Sequence, residues 1–450
     1  MLYSPRRDTP FPEGKIMSET LRSADLMSRA SQFLAGGTMH HTTHGSLPQE
    51  LQPIVARGEG SRFWDVDGRE YIDYVMGSGP LILGHAHPEV VEAAEKQAVA
   101  GSQYYNLSES MIDLAETIVG AVPCGQRIKF AGSGNEATMM ALRLARAVTG
   151  KPKVMKMEGA YHGTHDYTAW GGTHKEPFEY PHPPRDSRGI PDALADLVLA
   201  APFNDIQTTS RLIEQNKNEL AAVIVEPVQR NIPPKVEFLE GLRDVTRRCG
   251  VVLIFDEVVT GFRLAWGGAQ EYYGVTPDLA TMGKVIGGGY PIGAIVGRED
   301  LFYPFTPEAA AQGEVAMYGG TFSGNPASMA AGRATLNVLR RPGQYGRLAE
   351  LGKRLGDGLK ELGQMLETPM FVCQEDSIVD VLFTDRPVTQ YRDTWSADPD
   401  MAYRFKTGMI RRGVWTVPGG PKMYVSLTHS EEDIDRTLAV AEESLRDLRA

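Results

Sequence analysis

The residues best suited to chemistry begin with a single lysine in sheltered surroundings. Lys284 lies within Thr281–Gly289 (TMGKVIGGG), where apolar residues and glycines flank it on both sides. Burial lowers the pKa of a lysine, and the neutral amine can then attack a carbonyl carbon to form a Schiff base. Most lysines are solvated surface groups, but this setting is unusual for such a group.

A carboxylate precedes this lysine at the end of a very apolar run. Asp256 follows Val251–Phe255 (VVLIF), and burying a carboxylate there is costly unless it meets a cation or a proton donor. The protonated pyridine nitrogen of pyridoxal phosphate is one such partner. A magnesium ion or an internal hydrogen-bond network would also satisfy the charge, so the three interpretations stay open.

Three loops could hold the rest of a ligand. Ala131–Asn135 (AGSGN) precedes a helix-like stretch, where small residues and a helix N-terminus favour a phosphate; a turn capped by Asn135 is the alternative. Tyr161 and His162 follow a strand-like run, and a tyrosine there could face a flat ring or belong to the core. Gly319–Pro326 (GGTFSGNP) suits a phosphate and a tight turn equally well.

Alternating strand-like and helix-like segments between residues 90 and 330 would position these loops. The strand candidates are short and mostly apolar or β-branched: Arg127–Phe130, Val154–Met157, Ala221–Val225 and Val251–Phe255. Helix-length stretches such as Glu136–Thr149 separate them, which predicts a mostly parallel sheet covered on both faces. Ligands bind at the carboxyl ends of the strands in such sheets, where the candidate residues fall.

The flanking regions predict further elements. We expect a helix from Ser18 to Phe33, a hairpin within Ile54–Gly68, a strand at Met423–Leu427 and a charged helix from Glu431 to Arg449. Arg411 and Arg412 are expected at a helix end.

The composition is that of an ordinary globular protein. Hydrophobic residues make up 42% and charged residues 23% of the 450 residues, and the net charge is −11. This acidic balance disfavours nucleic-acid and anionic-membrane partners. No apolar run approaches the roughly 18 residues of a membrane span, the N-terminal segment lacks a signal-peptide core, and Cys124, Cys249 and Cys373 have no metal-ligand spacing. We therefore expect a cytoplasmic enzyme without a bound metal.

Seven motifs in order resemble the class III pyridoxal-phosphate-dependent aminotransferases of fold type I, from about Ala35 to Leu448. The branch most similar contains glutamate-1-semialdehyde aminomutase and D-phenylglycine aminotransferase. The motifs are Gly84–Pro88 (GHAHP), Ser133–Ala137 (SGNEA), Glu158–Gly163 (EGAYHG), Val225–Pro227 (VEP), Asp256–Arg263 (DEVVTGFR), Gly283–Gly289 (GKVIGGG) and Gly320–Thr321 (GT).

The resemblance implies a role for each matching position. Lys284 would form the Schiff base with pyridoxal phosphate and then carry a proton, while Asp256 would keep the pyridine ring protonated. Val258 and Tyr161 would sandwich the ring, with His162 beside Tyr161 in the same motif.

Further positions match the phosphate and the ring's surroundings. The phosphate loop corresponds to Ser133, Gly134 and Asn135, although this branch usually has threonine in place of Asn135. Glu226 and Asn231 match positions near the ring that support the aspartate. Thr321 matches a phosphate contact that comes from the partner subunit, which implies a homodimer with shared active sites.

The implied fold is α/β, with a mostly parallel sheet in a large cofactor-binding domain over residues 76–330. A smaller α+β domain would be built from both chain ends, with an N-terminal arm and first part over residues 1–75 and a second part over residues 331–450. The implied activity is transfer of an amino group between an amino acid or amine and a keto acid by a ping-pong mechanism.

An intramolecular aminomutase and an amino-acid racemase are the alternatives, and departures from the aminomutase pattern weigh against the first of them. Ser78 stands where the aminomutases have tryptophan, and Trp415–Pro421 (WTVPGGP) lacks their glutamate. An arginine that β-amino-acid aminotransferases carry near Gly419 is also absent.

An unusual loop, Thr38–Gly45 (TMHHTTHG), carries His40, His41 and His44 where the family often has a carboxylate-binding arginine. These imidazoles could bind a carboxylate, position an aromatic group or bind a metal; a polar loop at the pocket mouth is the plainer interpretation. Because the usual arginine clamps are missing, we expect a substrate whose aromatic or apolar group contributes to binding.

Overall fold

The computed structural model describes residues 22–37, 47–417 and 422–449 of the chain. Its strands are β1 (Val55–Glu59), β2 (Arg62–Asp65), β3 (Glu70–Asp73), β4 (Arg127–Ala131), β5 (Lys153–Met157), β6 (Val198–Ala201), β7 (Leu220–Val225), β8 (Val252–Glu257), β9 (Leu279–Gly283), β10 (Gly293–Gly297), β11 (Phe371–Glu375), β12 (Ile378–Leu382), β13 (Val414–Trp415) and β14 (Met423–Tyr424). Its helices are α1 (Arg22–Phe33), α2 (Pro88–Ala100), α3 (Glu109–Ala121), α4 (Gly134–Thr149), α5 (Ile206–Asn216), α6 (Val236–Cys249), α7 (Gly268–Tyr273), α8 (Pro307–Gln312), α9 (Pro326–Leu339), α10 (Gln344–Met365), α11 (Pro399–Arg411) and α12 (Glu431–Asp447).

The central sheet has seven strands in the order β4-β10-β9-β8-β7-β5-β6. β10 runs antiparallel to β4 and β9, and the pairs from β9 to β6 are parallel. Residues of β5, β7, β8 and β9 are buried almost throughout, as expected of a sheet covered on both faces. The predicted α/β fold with a mostly parallel sheet is confirmed.

There are two smaller sheets, and one of them joins the two ends of the chain. One has the order β1-β2-β3-β13, in which the predicted N-terminal hairpin is extended and β13 pairs in parallel with β3. The other has the order β11-β12-β14. Ile72 and Tyr74 share a buried cluster with Leu355, Phe405 and Val414, so N-terminal and C-terminal segments form one core there. The domain limits at residues 75 and 330 stay a prediction.

Several element boundaries differ from the sequence-based expectations. The N-terminal helix begins at Arg22 within the described residues, and residues 18–21 lie outside them. The expected strand Met423–Leu427 ends at Tyr424, because the amides of Val425 and Leu427 then donate to the separate carbonyls of Ser377 and Ile82 rather than continue one ladder. Within the described ranges, we find no helix long and apolar enough to cross a membrane.

Candidate active site

The candidate residues gather where the parallel strands of the central sheet end. Asp256 is near the end of β8, and Lys284 directly follows β9. Residues 132–135 follow β4, Tyr161 follows β5, and Glu226 follows β7. The carboxyl ends of these strands lie at one edge of the sheet, the usual ligand position in an α/β fold.

The carboxylate of Asp256 is buried and held by three groups of the protein. Its Oδ2 lies 2.7 Å from Nδ1 of His162. Its Oδ1 accepts from the backbone N–H of Val258 at 3.1 Å and from the hydroxyl of Thr281 at 3.1 Å. The same ring of His162 leaves Nε2 buried without a hydrogen-bond partner in the described part of the chain. The carboxylate is therefore fixed in position before any ligand binds.

The N-terminus of α4 forms a cradle beside this carboxylate. A Cβ at Gly134 would lie 2.8 Å from Cγ1 of Val258, and one at Gly283 would lie 3.4 Å from the same atom, so glycine allows these three segments to meet. Ser133 caps the helix by accepting from the amide of Glu136 at 3.2 Å. The N–H groups of Gly134 and Asn135, the first two of the helix, have no acceptor within it and are oriented to bind an anion.

Asn135 is tied to the loop that follows β5. Its Oδ1 accepts from the backbone N–H of Thr164 at 2.7 Å, and a Cβ at Gly163 would lie only 2.2 Å from that oxygen. The Nδ2 group of the amide stays available as a donor. An asparagine at this position can therefore hold the loop and still donate a hydrogen bond to a ligand.

Lys284 combines a strained backbone with a perturbed amine. Its φ of 48° lies in the left-handed region, which is unusual for a residue other than glycine. Burial lowers the pKa of its amine to about 8, while the nearby Asp256 carboxylate acts to raise it and Arg263 to lower it. A larger fraction of the amine is thus neutral and nucleophilic near neutral pH than for an exposed lysine.

Glu226 and Asn231 form hydrogen bonds with groups other than Asp256. Glu226 Oε2 accepts from the backbone N–H of Tyr161 at 3.0 Å, and the Tyr161 side chain is half exposed. Asn231 donates to Asp380 Oδ2 at 2.9 Å. The hydrogen bonds of Glu226 and Asn231 go to the loop after β5 and to β12, and a supporting role toward Asp256 stays a prediction.

Ser78 and Thr321 lie on short turns, and the three histidines lie outside the described residues. Ser78 is on a tight turn with a φ of 70°, beside Gly79, whose carbonyl accepts from Arg263 at 2.5 Å. Thr321 is exposed, and its carbonyl accepts from Gln103. The described residues do not include His40, His41 or His44.

Sequence reasoning missed a buried lysine that holds the loop carrying Tyr161 and His162. The amine of Lys156, on β5, donates to the carbonyls of Ala160, Thr168 and Trp170 at 2.9, 2.9 and 2.7 Å. Burial lowers the pKa of this amine to about 8. The available signal was a lysine inside an otherwise apolar strand, KVMKM.

Two further cations near the cluster were also missed. The Arg230 guanidinium lies 5.4 Å from the ring centroid of Tyr161. Lys422, directly before β14, is buried although its amine has no hydrogen-bond partner in the part of the chain that the structure describes. Neither has a motif around it that would mark it in a single sequence.

The arrangement fits pyridoxal phosphate. The cradle at Gly134 and the free N–H groups of α4 suit a phosphate, and a Cβ there would displace Val258. A buried carboxylate held by three donors suits a pyridinium nitrogen. The amine of Lys284, whose pKa burial lowers to about 8, suits attack on a carbonyl carbon.

Comparisons with known proteins agree with this chemistry. A glutamate-1-semialdehyde 2,1-aminomutase of Persephonella marina is 39% identical over 433 residues, which are 95% of this chain and 99% of that protein. The crystal structure of an omega-transaminase from Sphaerobacter thermophilus is 36% identical with a TM-score of 0.90, covering 96% of this chain and 99% of that one. A β-phenylalanine aminotransferase from Variovorax paradoxus is 30% identical with a TM-score of 0.83, covering 94% and 93%.

The family assignment follows from a match over most of the sequence. The family model described as aminotransferase class-III matches residues 46–443. Similar solved structures include a transaminase with pyridoxal phosphate bound. The chain therefore belongs to the class III aminotransferases, pyridoxal-phosphate-dependent enzymes of fold type I.

Proposed function

We propose that this enzyme is a transaminase, which moves an amino group from an amino acid or amine to a keto acid in a ping-pong reaction. The observation that carries the proposal is the pairing, at one sheet edge, of a fixed buried carboxylate at Asp256 with a low-pKa amine at Lys284. Bound pyridoxal phosphate supplies an electron-withdrawing ring that stabilises negative charge on the carbon bearing the amino group.

The roles of the chain's own groups follow from their placement. Lys284 would take the proton from the substrate's amino-bearing carbon and deliver it to the C4′ carbon of the cofactor, because an amine with a pKa of about 8 exchanges protons readily near neutral pH. The carboxylate of Asp256, held in place by His162 and Thr281, would face the ring nitrogen.

The remaining groups would bind and orient the cofactor. Ser133, Gly134 and Asn135 would hold the phosphate at the start of α4. Val258, packed on Gly134, would lie against one face of the ring, and the half-exposed Tyr161 against the other. Glu226 and Asn231 would act at the rim of the cofactor site.

We also propose a homodimer in which Thr321 contacts the cofactor phosphate of the partner subunit. A surface patch around Thr321 exposes 84% of Tyr105, 77% of Leu107, 79% of Met317 and 67% of Phe322. The patch is continuous, because Gln103 donates to the Thr321 carbonyl and Asn325 donates to the Ser102 carbonyl at 3.0 Å. Clustered exposed apolar side chains of this kind favour an interface between subunits.

The donor is proposed to carry an aromatic or apolar group. The similarity to a β-phenylalanine aminotransferase supports this substrate class. Binding of the substrate's polar end by the histidines at positions 40, 41 and 44 stays a prediction. A cytoplasmic location is likewise proposed, supported by three cysteines that are all unpaired.

Intramolecular amino transfer is the second candidate, because a relative 39% identical over nearly the whole chain is named as a glutamate-1-semialdehyde 2,1-aminomutase. Ser78 and the absence of a glutamate in residues 415–421 weigh against it. A racemase on the same cofactor is a further alternative.

A substrate panel separates these activities. Purified enzyme is incubated with amino acids and amines against pyruvate and 2-oxoglutarate, and separately with glutamate 1-semialdehyde or single enantiomers without any keto acid. A transaminase requires the keto acid and converts it into the corresponding amino acid. Isomerisation of the semialdehyde, or loss of optical activity, without a keto acid would contradict the proposal.

A further inference from the structure

Lys422 differs from Lys156 and Lys406, the two other lysines of the described chain that are less than 9% exposed. Lys156 donates to three carbonyls, and Lys406 lies 3.2 Å from Asp380 Oδ1. Lys422 is only 8% exposed, yet its Nζ has no hydrogen-bond partner among the described residues. An ammonium has three donors, and burying them unused is costly, so this amine needs an acceptor that the described protein does not supply.

The position of Lys422 links it to the candidate active site. β14, which it precedes, pairs with β12, and Tyr424 donates its backbone N–H to Tyr74. The side chain of Tyr424 lies against Gly79, next to Ser78, because a Cβ at Gly79 would be 3.3 Å from its ring. The charged groups whose fields act on Lys422 are Glu226, Arg230, Lys284 and Asp380. Lys422 therefore lies on the side of the site formed by the C-terminal segment.

The two acidic groups of this set are already engaged by the protein. Asp380 accepts from Asn231 at 2.9 Å and from Lys406 at 3.2 Å. Glu226 accepts from the backbone N–H groups of Tyr161 and Arg230. The Arg230 guanidinium lies over the Tyr161 ring and forms no ion pair with the residues described here. Lys422 and Arg230 are thus two cations without a paired acid among the described residues, and Arg230 and Lys284 are near enough for their charges to act on Lys422.

Burial lowers the pKa of the Lys422 amine to about 7; Glu226 and Asp380 act to raise it, and Arg230 and Lys284 act to lower it. An anion placed beside the amine would favour its charged form and remove this penalty. A carboxylate is the anion that both an amino-acid donor and a keto-acid acceptor would bring.

We propose that Lys422 binds the carboxylate of the substrate, with Arg230 as a second, outer cation. This inference rests on the proposed transaminase function and deepens it: it names carboxylate-bearing substrates as the preferred class and a lysine as the group that selects them. It replaces the expectation that the absence of arginine near Gly419 leaves the site without a strong carboxylate partner.

The test compares substrates with and without a carboxylate in the holoenzyme. Pyruvate and propanal are used as acceptors with one accepted donor, in the wild type and in K422M, K422Q and K422R. For K422M we expect KM for pyruvate to rise on the order of 30-fold, the lower range of losing one partner of a buried charge pair, while the kinetics with propanal change little. K422Q should behave like K422M, and K422R should retain part of the preference.

K406M is the matched control, because Lys406 is a buried lysine of the same region that already has an acid partner. We expect K406M to lower thermal stability without changing the ratio of kcat/KM for pyruvate to kcat/KM for propanal. The proposal would be overturned if kcat/KM fell equally for both acceptors in K422M and K422Q, or if the ratio of the two kcat/KM values stayed at its wild-type value in both variants. Weaker cofactor binding in these variants, measured by equilibrium dialysis, with an unchanged ratio would assign Lys422 to the cofactor instead.

A binding measurement keeps this result separate from the transaminase proposal. Calorimetry compares 3-phenylpropionate with its neutral amide in the wild type and in K422M. A preference for the carboxylate that K422M removes supports the role of Lys422 even if no transamination is found. Equal affinity of the wild type for the two compounds would contradict it even in an active transaminase.

Discussion

The two walls of the candidate site differ in how their charged groups are satisfied. On the sheet wall, formed by the ends of β8 and β9, Asp256 accepts from His162, Thr281 and the amide of Val258. On the C-terminal wall, at the start of β14, the amine of Lys422 has no partner within the described ranges. A group held by the protein on every side suits a permanent occupant such as a cofactor. A buried group without a partner suits a substrate that enters and leaves.

The largest effect is expected on the sheet wall, from K284A. Removing the amine removes both the covalent attachment of the cofactor and the proton carrier, so turnover should fall by at least about 10⁴-fold. Transaminase assays with the best donor measure it. K422M, on the other wall, should keep covalent attachment. Persistent turnover in K284A would contradict the role of Lys284.

D256N tests the fixed carboxylate of the sheet wall. A neutral amide cannot stabilise a pyridinium, so we expect turnover to fall about 10²- to 10³-fold, the scale of losing one preorganised electrostatic contact. Covalent attachment of the cofactor should remain. T281V is the control, since it removes one hydrogen bond and keeps the charge; a loss of about 10-fold or less is expected. Near-normal turnover of D256N would rule out the proposed role.

K156M tests whether the buried lysine Lys156 stabilises the fold without taking part in the reaction. It would leave three buried carbonyls without their donor, so we expect a loss of stability on the order of 3 kcal/mol, seen as a lower Tm in thermal scans. K153M, on the same strand, loses only a partly exposed ion pair with Glu219 and should cost less than about 1 kcal/mol. Equal Tm values for the two variants would contradict this distinction.

The proposed dimer adds a third wall from the partner subunit, which T321A tests. We expect about a 10-fold loss of activity, the upper range for one hydrogen bond. Mixing K284A with T321A subunits should recover up to about a quarter of wild-type activity, since half of the dimers would be hybrids with one intact site. A fully active monomer in sedimentation would contradict the shared site.

The smallest expected effect is a shift in pH dependence. Only the neutral amine of Lys284 reacts with a carbonyl, and burial lowers its pKa to about 8. The rate at which cofactor attaches to the apoenzyme should therefore rise with pH around a midpoint near 8. Stopped-flow absorbance measures this rate. D256N should lower this midpoint, because the Asp256 charge acts to raise the pKa. A midpoint at the ordinary lysine value would contradict the burial of the amine.

Sequence patterns predicted the strands of the central sheet that contain β-branched or large apolar residues, including β4 (RIKFA). β5, β7 and β8 were found within one or two residues of their ends. β6 (VLAA), β9 (LATMG) and β10 (GAIVG) were missed, because short segments rich in alanine and glycine have little intrinsic preference for strand and are stabilised by tertiary burial.

The candidate site divides in the same way. Asp256, Lys284 and the Gly134 cradle were predictable, since an acid or a lysine among apolar residues and glycines departs from the usual pattern. Lys422 and Arg230 were not, because nothing in the local sequence reports burial or the absence of a partner. Those properties arise only when β14 pairs with β12 and the loop after β7 meets Tyr161.

The central claim is that Lys284, among three buried lysines whose amines have a lowered pKa, is the one that reacts with the cofactor. Borohydride reduction of the holoenzyme followed by peptide mass spectrometry tests it most directly. We predict one cofactor per chain on the peptide that contains Lys284. Cofactor found on Lys156 or Lys422, or no covalent cofactor in an active enzyme, would contradict the account.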